Sequence, residues 1–131
     1  MKKVLFLLFL FSLGACTNDD IQKMHDEVMA IHDEVMPRMS EIATYRDKVE
    51  ERLSLPDSSL SSAREELENG LRELAAAKQG MVSWMQNYEK PDEDMGRESA
   101  LAYLSEQKDA ISKVKTDIEG SINLAKLLLN E

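Results

Sequence analysis

The side chains best suited to chemistry in this chain are gathered between Met24 and Met39, in the run MHDEVMAIHDEVMPRM. The pentapeptide His-Asp-Glu-Val-Met occurs there twice, starting at His25 and again at His32. Imidazole and thioether groups are ligands for soft ions such as Cu(I), and Ag(I) with it. On a helix, His25, Met29, His32, Met36 and Met39 fall within a strip roughly 80° wide. His25 with Met29 and His32 with Met36 are i,i+4 pairs, the spacing at which two helical side chains meet. The two histidines are separated by ~10 Å of rise, so they do not share one ion by themselves.

The same residues have a purely structural reading. Ile21, Met24, Val28, Ile31, Val35, Ile42, Tyr45 and Val49 form an apolar seam at alternating three- and four-residue spacing, interrupted at Arg38. The His/Met strip lies about a quarter-turn from that seam. A helix touching two neighbours in a bundle needs an apolar face wider than a two-residue heptad seam. Methionine fills irregular gaps in such a face.

Two further apolar stripes accompany the first. One runs through Leu60, Ala63, Leu67, Leu71, Leu74, Ala77, Met81, Trp84 and Tyr88, the other through Leu101, Leu104, Ile111, Val114, Ile118, Ile122, Ala125 and Leu129. Pro56-Asp57-Ser58-Ser59 and the stretch from Pro91 to Gly96 are turn signals between them. The pattern predicts helices over about 20–54, 58–89 and 97–129, each ~45 Å long. Equal lengths and short turns favour an all-α fold, an antiparallel up-down-up three-helix bundle with coiled-coil-like packing. A helical hairpin whose third helix packs within an oligomer is the alternative. Pro37 removes one helical hydrogen bond and clashes with the carbonyl of Asp33, so a kink or a restart is expected there. Gly70 and Gly80 weaken the second helix, and a local bend is expected at Gly80.

This register adds partners to the His/Met strip. A turn near residue 56 sets residues 25–36 opposite roughly 75–87, which contain Met81, Trp84 and Met85, and brings Tyr103 toward the same level. The candidate soft-metal set is therefore His25, Met29, His32, Met36, Met81 and Met85.

The N-terminus carries a different signal. Lys2 and Lys3 precede an apolar run from Val4 to Leu13, broken only by Ser12, and Gly14-Ala15 leads into Cys16. The run is short for a spanning helix and right for a signal-peptide core. Leu13-Gly14-Ala15-Cys16 resembles the lipobox of bacterial lipoproteins. That resemblance implies cleavage after a signal peptide of residues 1–15, with thioether-linked diacylglycerol and often an N-acyl chain on Cys16. Each buried methylene contributes ~0.8 kcal/mol, so two or three chains hold a protein stably at a membrane. Residues 16–19 then form a lipidated tether and residues 20–131 a single domain. Thr17 follows the cysteine, and no Asp marks inner-membrane retention as in the enterobacterial sorting rule; an outer-membrane lipoprotein, facing the periplasm or the cell surface, is expected. Cys16-Thr17-Asn18-Asp19-Asp20 also resembles the acidic export tag of Bacteroidetes-type surface lipoproteins. The whole chain is similar to small helical envelope lipoproteins of that kind, some of which are described as viral A-type inclusion protein on coiled-coil likeness.

Composition narrows the partners. The net charge is −9, and loss of Lys2 and Lys3 leaves fourteen basic against twenty-five acidic side chains, or −11. Such a chain repels nucleic-acid phosphates, which sets nucleic acid aside. The single cysteine excludes an internal disulfide framework. No phosphate-binding Gly-rich loop, nucleophile elbow, Cys-x-x-Cys pair or His-Glu-x-x-His motif is present, so no catalytic role and no cofactor beyond the lipid are expected. The sequence thus predicts a lipid-anchored envelope protein that acts on an envelope protein or on itself through helix surfaces. Its alternative is a Cu(I)- or Ag(I)-binding protein using the His/Met strip.

Overall fold

A computed structural model describes residues 17–56 and 63–131. The signal segment, Cys16 and the predicted start of the second helix at residue 58 lie outside the described residues. The described chain folds as four helices: α1 (Thr17–Val35), α2 (Arg38–Ser54), α3 (Arg64–Asn87) and α4 (Arg97–Leu129). No strand occurs among the described residues. α1 and α2 follow one another as the first rod of an all-α, three-rod bundle. None of the described helices is long and apolar enough to cross a membrane.

Cross-helix contacts fix the directions of the rods. Asp20 pairs with Arg97, Glu27 with Lys108, Glu34 with Lys115 and Lys48 with Glu131. Both partners' numbers rise together, so the first rod and α4 are parallel. His25 meets Tyr88 and His32 meets Trp84, with numbers running in opposite senses, so α3 is antiparallel to the first rod. This is the up-down-up order.

Seven-residue spacing organises the core. Val28, Val35, Ile42 and Val49 are buried on the first rod. Leu67, Leu74 and Met81 are buried on α3, and Leu104, Ile111, Ile118 and Ala125 on α4. Sustained heptads of this kind are the pattern of left-handed, knobs-into-holes packing. Two positions differ from the apolar stripes of the sequence. Gly70, and not Leu71, faces the interior, and Ala100 is buried where Leu101 is only partly so. The reason at Gly70 is proximity: a Cβ there would lie 2.7 Å from Leu128 Cδ1 of α4. α3 is a single helix that runs without interruption through Gly80.

The first rod is interrupted at Met36–Pro37. Met36 N still donates to the His32 carbonyl at 2.9 Å, but Pro37 has no N–H to continue the ladder. The next bonds are shorter-range, Met39 N to Met36 O at 3.1 Å and Ser40 N to Pro37 O at 3.3 Å. Ser40 Oγ also donates to the Pro37 carbonyl at 2.7 Å. Pro37 itself keeps right-handed helical dihedrals, φ −59° and ψ −28°. The break is therefore a bend, and the heptad Val28–Val35–Ile42–Val49 passes through it without a change of phase.

Both ends of α4 are closed by their sequence. Gly96 precedes it and accepts from Ala100 N at 2.9 Å. Asn130 ends it in the left-handed region at φ 58°, with Glu131 N bonding back to Lys126 O at 3.0 Å. Asparagine tolerates that conformation at a helix C-terminus better than most residues.

Candidate functional site

The His/Met strip of α1 is held to α3 by a ladder of rings. Trp84 and Tyr88 stand one turn apart on α3 and stack with centroids 4.8 Å apart. His25 and His32 stand two turns apart on α1. Because the helices are antiparallel, the upper and lower members match: His25 stacks on Tyr88 at 6.0 Å, and His32 lies tilted against Trp84 at 5.7 Å. Tyr103 of α4 continues the stack from Tyr88 at 6.3 Å, and its hydroxyl accepts from Glu89 N at 3.0 Å. The register expected from the sequence brings Trp84 and Tyr103 to the level of residues 25–36, where they are found; Tyr88, one residue beyond the expected 75–87 stretch, joins them.

Each imidazole has a different partner at Nδ1. The Tyr88 hydroxyl lies 2.6 Å from His25 Nδ1. Burial, with Tyr103 nearby as the smaller cause, pushes the Tyr88 hydroxyl up to about 12. The phenol stays protonated, and its O–H can donate to His25 Nδ1 or accept from an Nδ1–H according to the tautomer. His32 Nδ1 faces Asp33 Oδ1 at 2.9 Å. A carboxylate only accepts, so His32 carries a proton on Nδ1, and in the neutral ring Nε2 holds the lone pair.

The sulfurs are spread over different surroundings. Met24, Met29, Met36 and Met39 are partly buried and pack against the hydrophobic core. Met81 is fully buried, whereas Met85 is 39% exposed. The six candidate ligands His25, Met29, His32, Met36, Met81 and Met85 thus divide between ring stack, core edge, core interior and surface. Among the described residues, no group of three or more His, Cys, Asp or Glu side chains is arranged to hold a metal ion. The Trp84 indole N–H is buried in the ladder without an acceptor among the described residues.

Charged seams flank this core. On the α1–α4 side, Lys108 Nζ reaches Glu27 Oε2 at 2.7 Å and Lys115 Nζ reaches Glu34 Oε1 at 2.6 Å. Lys108, by its hydrogen bond and its charge, holds the Glu27 carboxyl below the usual carboxylate range. The hydrogen bond it donates to Glu34 raises the Lys115 ammonium above its usual value, and the bond Lys48 donates to Glu131 does the same there.

The α2–α3 side is different. A cleft of about 250 Å³ lies there, floored by Ile42, Leu74 and Val82 and edged by Arg46 and Lys78. Sequence reasoning passes over Tyr88 as a hydrogen-bond partner and over this cleft. Tyr88 was legible as an i,i+4 partner of Trp84; the cleft required knowing which exposed cations share an edge.

No family model matches the chain, and no curated protein or solved structure matches it.

Proposed function

We propose that this chain is a lipid-anchored protein of the bacterial cell envelope, tethered through Cys16 to the outer membrane and acting without catalysis by presenting helix surfaces to another envelope protein. The observation that carries this reading is the sequence of residue types at the N-terminus. A basic pair, an apolar run and Leu13-Gly14-Ala15-Cys16 stand directly ahead of α1, which begins at Thr17. A helix starting one residue after the lipid-bearing cysteine leaves little slack between anchor and bundle. α4 alone, with 33 residues, is ~50 Å long. The bundle therefore carries its side surfaces outward from the bilayer as a stiff post. Its acidity, −11 after processing, disfavours lying flat on anionic headgroups.

Cell fractionation of wild type and Cys16→Ala tests the proposal. Wild type is expected in the membrane fraction, extractable only with detergent. The variant is expected to leave that fraction or to remain unprocessed. Equal distribution of fully processed wild type and variant would reject the lipid anchor.

A further inference from the structure

We infer that the α2–α3 cleft is the docking groove for a partner helix whose apolar face is flanked by carboxylates. This inference rests on the interaction role proposed above and names the class of partner.

The argument starts from the contrast between two sides of the first rod. Toward α4, carboxylates of α1 meet ammonium groups of α4 at Glu27–Lys108 and Glu34–Lys115, an apolar interface fringed by opposite charges. Toward α3, the cleft repeats the second half of that arrangement without the first. Its edges carry Arg46 on α2 and Lys78 on α3, and no carboxylate lines it. Lys78 has no ion-pair partner among the described residues. Arg46 has only long contacts on its own helix, to Glu50 at 3.5 Å and Asp47 at 3.7 Å. Two cations flanking one apolar furrow are notable in a chain of net charge −9.

Shape selects a helix. The furrow is lined from Leu74 to Val82 along α3, ~12 Å or about two turns, and from Ile42 to Arg46 on α2, about one turn. Its volume falls just below the ~300–1,000 Å³ of pockets that enclose small molecules. Ala43 of α2 and Ala75 of α3 are both exposed and line it, so each wall has a small side chain beside its cation, where a partner helix can approach. Met85, 39% exposed, lies one residue-turn beyond Val82 on the same helix and extends the apolar track. A thioether adapts to varied partner shapes.

The test uses two synthetic helical peptides of about eighteen residues, roughly five turns, sharing a Leu/Ala face. One has Glu at the flanking positions and its twin has Lys. Binding is measured by fluorescence anisotropy to the full chain, purified from its own cells in a nonionic detergent that keeps it dispersed whether or not Cys16 is acylated. Overall charge favours the Lys peptide, so the expected result is diagnostic: the Glu peptide binds about tenfold tighter. Arg46→Glu with Lys78→Glu reverses that order, Ala75→Trp abolishes binding of the Glu peptide, and Lys113→Glu on α4 changes nothing. Circular dichroism of each variant confirms the retained fold. Tighter binding of the Lys peptide to wild type, binding of neither, or indifference to the Arg46/Lys78 reversal would overturn the inference. So would a dimeric wild type made monomeric by Ala75→Trp, because the groove would then hold a second copy of this chain. None of these outcomes depends on whether Cys16 is acylated, so failure here and failure of the lipid anchor are separate results.

Discussion

His25 Nδ1 and the Tyr88 hydroxyl lie 2.6 Å apart, a hydrogen bond that ties α1 to α3 at the end of the bundle nearest Cys16. α1 packs its backbone chiefly on α4, so its link to α3 is made by side chains. The long rings of Trp84 and Tyr88 fill the space between them.

Tyr88→Phe isolates the hydroxyl. Burial raises the Tyr88 pKa from 10.0 to about 12, so the folded state favours the neutral phenol. The resulting stabilisation is fully present below pH 10.0 and is lost as pH rises toward about 12, because the unfolded chain ionises first. Tyr88 is only half-buried, so the slope is a fraction of the ~1.4 kcal/mol per pH unit of a fully shifted group. Urea unfolding of both proteins across this range checks it. Wild type is expected to lose more stability than Tyr88→Phe, and parallel losses would contradict the assignment. Deprotonation of lysines is common to both proteins and cancels in the difference.

The two α3 glycines separate propensity from packing. A Cβ on Gly80 would meet Val114 Cγ2 at 3.9 Å, an ordinary contact, so Gly80→Ala is expected to gain ~1 kcal/mol of helix propensity. That corresponds to a Tm rise of roughly 3–6 °C for a domain of this size. At Gly70 the same Cβ would press on Leu128 Cδ1 at 2.7 Å. Gly70→Ala is therefore expected to be less stable than Gly80→Ala by ~1–2 kcal/mol. Equal gains in thermal unfolding would show that α3 and α4 are not this close.

These positions show how far the sequence reaches. The up-down-up order and the level shared by His25, His32, Trp84 and Tyr103 follow from period and turn residues, since both are local signals, whereas the expected helix over 20–54 is two, α1 and α2. The bounds of α4, 97–129, are those the periodicity predicts. Gly70 was not legible as an interior position. Leu71 is the larger apolar residue, and only the approach of Leu128 from α4 decides which of the two turns inward. The interruption at Pro37 is written in the residue, but the turn that follows depends on Met39 bonding the Met36 carbonyl and Ser40 the Pro37 carbonyl. The Arg46/Lys78 cleft depends on how the surfaces of α2 and α3 meet, which period alone does not place.

Acid should act on the α1–α4 seam. Lys108 lowers the Glu27 pKa, so this carboxylate's contribution is present above its ordinary pKa and is lost as pH falls through the lowered one. Glu27→Gln is expected to flatten the acid limb of the stability–pH curve. Raised salt should shrink the wild-type advantage, because both partners are exposed. An unchanged acid limb in the variant would remove Glu27–Lys108 from the account.

The His/Met strip is expected to behave as packing. Met29 and Met36 sit at the core edge, so Met29→Ala and Met36→Ala should each cost ~1–2 kcal/mol, less than a fully buried Met→Ala change. Ag(I) titration of the same variants should show no loss of affinity relative to wild type. A clear loss with His25→Ala plus Met29→Ala would instead establish a soft-metal site on this face.

The most direct measurement is the mass of the N-terminal peptide of the protein isolated from its own cells. The account predicts a peptide beginning at Cys16 and heavier than its sequence by a diacylglycerol, with or without an N-acyl chain. A peptide that retains residues 1–15, begins elsewhere, or begins at Cys16 with a free thiol would contradict it.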